Sequence, residues 1–253
     1  MEEHTDLKQA GWNDSHRLWP LPHLPWTMQQ TWNDLLFAHY PIKLEVLQKL
    51  VPAILPLDSF NGMGWIGIVP FHITDIRLRG LPPIPGVARF PELNVRTYVT
   101  IDGKPGVYFF SLDADNRLAV EVAKLFYHLP YMNADMMVRQ NGSTIDYESR
   151  RRSGNDANFE CSYRPISEPY YAVKGSFDEW MSERYCLYTL NNKGAPFRCD
   201  ILHRPWLLQH AEAEFSQNTM LSKQGILVES DQPLLHFSKK IEARMWPLVR
   251  ALG

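Results

Sequence analysis

Four side chains between Phe90 and Tyr98, in the run F-P-E-L-N-V-R-T-Y, could do chemistry together. In a strand, side chains point to opposite faces in turn. Glu92, Asn94, Arg96 and Tyr98 would then share one face, and Leu93, Val95, Thr97 and Val99 the other. A carboxylate, an amide, a guanidinium and a phenol in one row can bind a small polar molecule and move a proton on it. Arg96 suits a carboxylate, while Glu92 and Tyr98 suit proton transfer. The same spacing permits a plainer arrangement, in which Glu92 and Arg96 form a buried ion pair between strands. A guanidinium beside Glu92 holds it ionised and makes it a weak general base until a ligand draws the arginine away.

Other constellations carry less. Tyr147, Ser149 and Arg151 share a face by period two, so Arg151 is a candidate second anion clamp, with a solvent-facing polar row as the alternative. His203, His210, Glu212 and Glu214 are metal-ligand types, yet H-E-x-x-H is absent and three same-face residues of one strand span about 13 Å. No metal is expected. Ser111 lacks a G-x-S-x-G setting and reads as a hydroxyl satisfying local backbone. Gly62-Met63-Gly64 has no following glycine or helix to cradle a phosphate. No motif calls for a cofactor.

These residues need elements to hold them. Helical spacing of Trp32, Leu35, Leu36 and Tyr40 behind a Thr27 cap predicts a helix over 27–40, ended by Pro41, and Leu44, Val46, Leu47 and Leu50 predict a second over 43–50. Together they would make a helical hairpin. After Asn61-Gly62 the period becomes two, predicting strands near 63–77, 93–101, 106–113, 144–151, 158–164, 184–191, 198–203, 206–215 and 234–244. Asp102-Gly103 is a hairpin turn signal. Two further short helices are expected over 117–126 and over 177–183, the latter opened by Ser176. The expected class is α+β, mainly antiparallel, with a sheet that curls or closes. Residues 1–26, rich in Trp and Pro, read as an arm laid over a single domain spanning 27–253.

Composition narrows the function classes. With 253 residues, 45% hydrophobic and 12% aromatic, the chain can bury a sizeable core. Its 26 basic and 28 acidic residues give a net charge of -2 with no basic stripe, so nucleic acid is not an expected partner. The Arg150-Arg151-Arg152 run reads as a solvated strand end. Cys161, Cys186 and Cys199 have no C-x-x-C spacing and are expected to be reduced thiols of a cytoplasmic protein. No secretory leader and no apolar run long enough for a membrane are read. The expected partner is a small molecule, anionic or carbonyl-bearing; a homo-oligomer is left open.

Several blocks together resemble one family: F-P-E-L-N-V-R-T-Y-V, K-P-G-V-Y-F-F-S-L-D-A, A-K-L-F-Y-H-L-P-Y, E-R-Y-C-L-Y and H-R-P-W. They are similar to the YqjF-like family, bacterial domains of unknown function, over almost the whole chain from W-N-D-L-L-F-A-H-Y onward. That resemblance implies a fold similar to acetoacetate decarboxylase, a cone-like antiparallel β-barrel with flanking helices around a small-molecule cavity. Acetoacetate decarboxylase uses adjacent lysines after a proline, one of them lowering the pKa of the other so that it attacks a ketone as a free amine. The corresponding block here is Leu129-Pro130-Tyr131-Met132, with no lysine for an imine, and Tyr131 becomes a candidate ligand-binding residue. Lys124, on the expected preceding helix, is read as a surface or salt-bridged residue. The resemblance also places Glu92 at a position similar to an acidic residue of the decarboxylase cavity. Three readings remain open: a binding protein whose polar row selects a ligand, a lyase- or isomerase-like enzyme without an imine, and a structural or partner-binding role with the aromatic N-terminal arm as its handle.

Overall fold

The computed structural model describes residues 12–83, 89–117, 120–121, 127–152, 155–228, 230 and 232–252. The chain is mostly β. Its strands are β1 (Met28–Ile42), β2 (Gly64–Leu78), β3 (Phe90–Ile101), β4 (Lys104–Ala114), β5 (Tyr131–Asn141), β6 (Thr144–Arg151), β7 (Asn158–Pro165), β8 (Tyr170–Tyr171), β9 (Cys186–Leu190), β10 (Pro196–His203), β11 (Leu207–Asn218), β12 (Leu234–Met245) and β13 (Val249–Arg250). Two short helices are described, α1 (Leu44–Gln48) and α2 (Phe177–Ser182). The α+β expectation is therefore corrected to a mostly-β fold. The helix expected over 117–126, with Lys124, lies largely outside the described residues.

The strands close twice. One circuit runs β12-β1-β2-β3-β4-β5-β6-β7-β11 and returns to β12, a nine-stranded barrel. A second runs β10-β12-β1-β2-β3-β4-β9 and returns to β10, a seven-stranded ring. The two share β12, β1, β2, β3 and β4. Pairings are antiparallel except β4 with β5 and β4 with β9, which are parallel. Gly106 makes the β4–β9 closure possible: a Cβ there would stand 2.6 Å from Cys186 Sγ and 2.7 Å from its carbonyl oxygen.

A shared strand is covered on both faces. Along β3, Leu93, Val95 and Val99 enter the barrel core, and Phe90 and Tyr98 enter the core of the ring. Strand β1 behaves likewise, with Leu36, Ala38, Tyr40 and Ile42 in one core and Leu35 and Phe37 in the other. Here the predicted helix over 27–40 is wrong. Burial on both faces erases the period-two signal. The neighbours Leu35 and Leu36 are both buried, on opposite faces, which imitates helical spacing. No helical hairpin forms; only α1, within the second expected helix, is present. Strand β5 was not expected at all, because its run Y-M-N-A-D-M-M-V-R-Q-N has little apolar alternation.

The strands expected elsewhere form close to their predicted bounds. α2 starts where Ser176 Oγ accepts from the Glu179 amide at 3.2 Å. Before β1, the chain packs on the outside of β10 and β12. Arg17 is fully buried against Asp200 at 3.0 Å, Trp19 Nε1 donates to the same carboxylate at 2.7 Å, and Trp12, Leu21 and Trp246 share a small core. Among the described residues no helix is long and apolar enough to cross a membrane, and Cys161, Cys186 and Cys199 are free and buried.

Candidate functional site

The polar row of β3 faces the interior of the seven-stranded ring. There Glu92, Asn94 and Arg96 line a cavity of about 310 Å³, within the roughly 300–1,000 Å³ of small-molecule pockets. Tyr98 continues the row but is fully buried beyond it. Around these polar groups the wall is mainly hydrocarbon and aromatic, with Trp32, Phe71, Phe109 and Trp206 among its members. An irregularity in the β3–β4 register between Val95 and Arg96 lets Phe109 and Leu112 of β4 both reach the cavity.

Glu92 is held from both sides. Tyr131, where β5 begins, donates its hydroxyl to Glu92 Oε2 at 2.7 Å. From the barrel core, the buried Tyr147 hydroxyl donates to the Glu92 carbonyl oxygen at 2.7 Å and lies 3.1 Å from that of Phe71, pinning β3 to β2 at this point. Burial pushes the Glu92 carboxyl up from 4.5 to about 7, against hydrogen bonds from Tyr131 and Asn94 that favour the charge. A carboxyl so placed can give or take a proton near neutral pH.

Arg96 makes no ion pair with Glu92 or with any other described carboxylate. Its guanidinium lies 5.4 Å from the Phe37 ring centroid and 5.6 Å from that of Tyr98, and its Nη2 donates to the Tyr98 oxygen at 3.3 Å. Nε is buried with no hydrogen-bond partner, as is Oδ1 of Asn94. The Tyr98 oxygen accepts from Arg96, so its proton goes to Nε2 of buried His39, 2.5 Å away. Burial and the nearby Arg96 keep His39 neutral by lowering its pKa. Gly67 leaves room for that ring, since a Cβ there would stand 3.0 Å from His39 Nε2.

Residues that the strand pattern did not single out complete this end of the cavity. Arg184, just past α2, lines it while pairing with Asp58 at 2.6 Å, and its guanidinium lies 4.8 Å from the Tyr98 ring and 4.5 Å from that of Trp180. His203, at the end of β10, also lines it, and burial brings its pKa down to about 4. The end therefore holds two guanidinium groups and the carboxylate of Asp58, an excess of positive charge. A helix-to-strand junction such as Ser182 to Cys186 has no period to mark which side chain turns inward.

The remaining candidates lie elsewhere. Arg151 is inside the nine-stranded barrel, where its Nη2 bonds Asp113 Oδ1 at 2.7 Å and Ser111 Oγ at 3.0 Å. It is not in the cavity wall, and the Tyr147–Ser149–Arg151 face is buried rather than solvent-facing. Glu212 pairs with Arg164 on the surface, and His210 is exposed. Among the described residues no group of three His, Cys, Asp or Glu is placed to hold a metal ion. No lysine is among the described residues of the cavity wall.

Comparison with known proteins agrees with this architecture. An acetoacetate decarboxylase from Legionella pneumophila superposes with a TM-score of 0.61 at 13% identity, covering 93% of both chains. An acetoacetate decarboxylase-like enzyme from Sphingomonas wittichii RW1 gives 0.61 at 12%, covering 94% of this chain and 99% of its own. The enduracididine biosynthesis enzyme MppR complexed with pyruvate gives 0.61 at 9%, covering 90% and 92%. At these identities the likeness is one of fold. In sequence, the chain is 54% identical over 223 residues to the uncharacterized protein YqjF of Bacillus subtilis (strain 168), covering 88% of this chain and 92% of that one. Residues 29–242 match DUF2071, described as an uncharacterized conserved protein, and the chain belongs to that family.

Proposed function

We propose that the protein binds a small carboxylate inside the seven-stranded ring, with Arg96 receiving the carboxylate and Glu92 and Tyr131 facing a carbonyl or hydroxyl of the same molecule. The carrying observation is Arg96 itself, a guanidinium with a buried, unpartnered Nε in the wall of a cavity. A buried donor without a partner costs about 1–3 kcal/mol, and an anionic ligand would remove that cost. Unlike Arg184, which Asp58 neutralises, Arg96 has its charge unmatched. That one solved structure of this fold is a complex with pyruvate fits a carboxylate ligand.

A second reading, turnover of a keto acid, is favoured by Glu92, whose carboxyl at about 7 is ionised in part at neutral pH. As a carboxylate it would take a proton from the carbon beside the carbonyl while the electron pair moves to the carbonyl oxygen. Reprotonation at carbon would return the keto form. This chemistry is lyase- or isomerase-like and forms no covalent adduct.

Thermal denaturation against a panel of carboxylates, 2-oxo acids and their neutral amides tests the first reading. Ligand at a hundred times its Kd adds about 2.7 kcal/mol to folding stability. The acids should raise Tm and the amides should not; equal responses would refute the assignment. Deuterium incorporation next to the carbonyl in heavy water, lost in Glu92→Gln, tests the second.

A further inference from the structure

The cavity is graded from one end to the other. Along β3 the inward residues run Arg96, Asn94, Glu92, Phe90, from cation through amide and carboxyl to hydrocarbon. β2 runs antiparallel beside it, with Gly67 opposite Arg96, Phe71 opposite Glu92 and Ile73 opposite Phe90, and then continues past β3 to Ile76 and Leu78. Leu78 pairs across to Met28 of β1, and Met28 to Met245 of β12. Those four residues all line the cavity. The Arg96 end is closed by α2, whose Trp180 ring lies 4.5 Å from that of Tyr98, and Phe177 lies 5.6 Å from His39. At the other end Leu78 is 44% exposed and forms a rim.

Taking Arg96 as the carboxylate seat, on which this step rests, we infer that the ligand carries an extended apolar tail, directed past Glu92 and Phe90 toward Ile76 and Leu78. A two- or three-carbon acid at Arg96 would leave the hydrocarbon half of the cavity without a partner. A chain or aryl group of several carbons fills it and loses contact with water as it does so. The head meets Arg96, Asn94 and Glu92, whereas the amide of Gln30, in the tail half, is taken up by Trp32 Nε1 and Met28 Sδ. The substrate class is a carboxylic acid with a hydrocarbon tail, oxidised or hydroxylated, if at all, near the head, where Asn94, Glu92 and Tyr131 can address it.

Isothermal titration with acetate, butyrate, hexanoate and octanoate, on the full chain and on Arg96→Gln, tests this. Affinity should rise about threefold to fourfold for each added methylene until the rim is reached, and Arg96→Gln should weaken every acid. Flat affinity along the series, still dependent on Arg96, overturns the tail while leaving the carboxylate seat. Binding that rises with chain length but is unchanged in Arg96→Gln, and equal for 1-octanol, overturns the seat and with it this orientation. Binding of none of the acids overturns both. Ile76→Trp, placed under the rim, should lower the octanoate-to-butyrate affinity ratio at least tenfold. An unchanged ratio in a variant with native circular dichroism would contradict the path of the tail.

Discussion

The phenol of Tyr131 lies 2.7 Å from Oε2 of Glu92, so the carboxyl of one cavity wall is tied to the first residue of β5, which pairs in parallel with β4 beside Leu112. This bond favours the ionised carboxyl, and burial opposes it more strongly. Removing the donor leaves only Asn94 to offset burial. Tyr131→Phe should therefore raise the Glu92 pKa above about 7 and cost on the order of 1–3 kcal/mol of stability. Carbon-detected NMR titration of the carboxyl measures the shift; an unchanged or lower value would show that the hydroxyl does not hold the charge.

Glu92 also predicts a pH dependence of folding. Its pKa is raised in the folded state from 4.5 to about 7, so its contribution is fully present below pH 4.5 and is lost as pH rises to about 7. Above that, burying the charge costs roughly 3 kcal/mol. Glu92→Gln should flatten the stability profile between these limits and exceed the natural chain in stability above pH 7. Urea denaturation at pH 5 and pH 8 checks this, and parallel profiles for the two proteins would disprove it.

The pair Arg151–Asp113 is structural. Both side chains are almost fully buried, and burial raises the Asp113 pKa despite the arginine. Arg151→Ala leaves that carboxyl unpaired inside the barrel and should cost about 3–5 kcal/mol. Carboxylate binding by whatever fraction remains folded should keep its affinity. A change in affinity without loss of stability would place Arg151 at the ligand after all.

Closure of the ring depends on Gly106. A methyl group there meets Cys186 backbone, which cannot swing aside. Gly106→Ala should cost about 1–3 kcal/mol and weaken ligand binding by disturbing the β4–β9 pair. Chemical denaturation and titration check both, and an unaffected protein would show that the two strands separate freely.

Much of the candidate site was legible in β3 because its two faces differ in chemistry. Alternation placed Glu92, Asn94 and Arg96 on one side, and the structure puts that side in a cavity. Alternation could not say how far the cavity extends, and Tyr98 lies beyond its wall. Nor could it say which ionic partner each charge finds: Arg151 and Arg96 look alike in sequence, and only the folded chain shows that Asp113 meets the first while no described carboxylate meets the second. Where both faces of a strand are apolar, as in β1, period two vanishes and the strand passes for a helix. Strand β5 went unseen for the opposite reason, having too little hydrocarbon to show a face. Arg184 and His203 enter the site from a junction and a strand end, where no periodicity operates.

The central claim is that Arg96 seats a carboxylate. Titration of butyrate into the natural chain and into Arg96→Gln at pH 6, where Glu92 is mostly protonated, tests it most directly. A lost charge-assisted hydrogen bond is worth about 1.5–3 kcal/mol, so affinity should fall by roughly tenfold to a hundredfold in the variant while its circular dichroism stays that of the natural chain. Equal affinity in the two proteins would contradict the account.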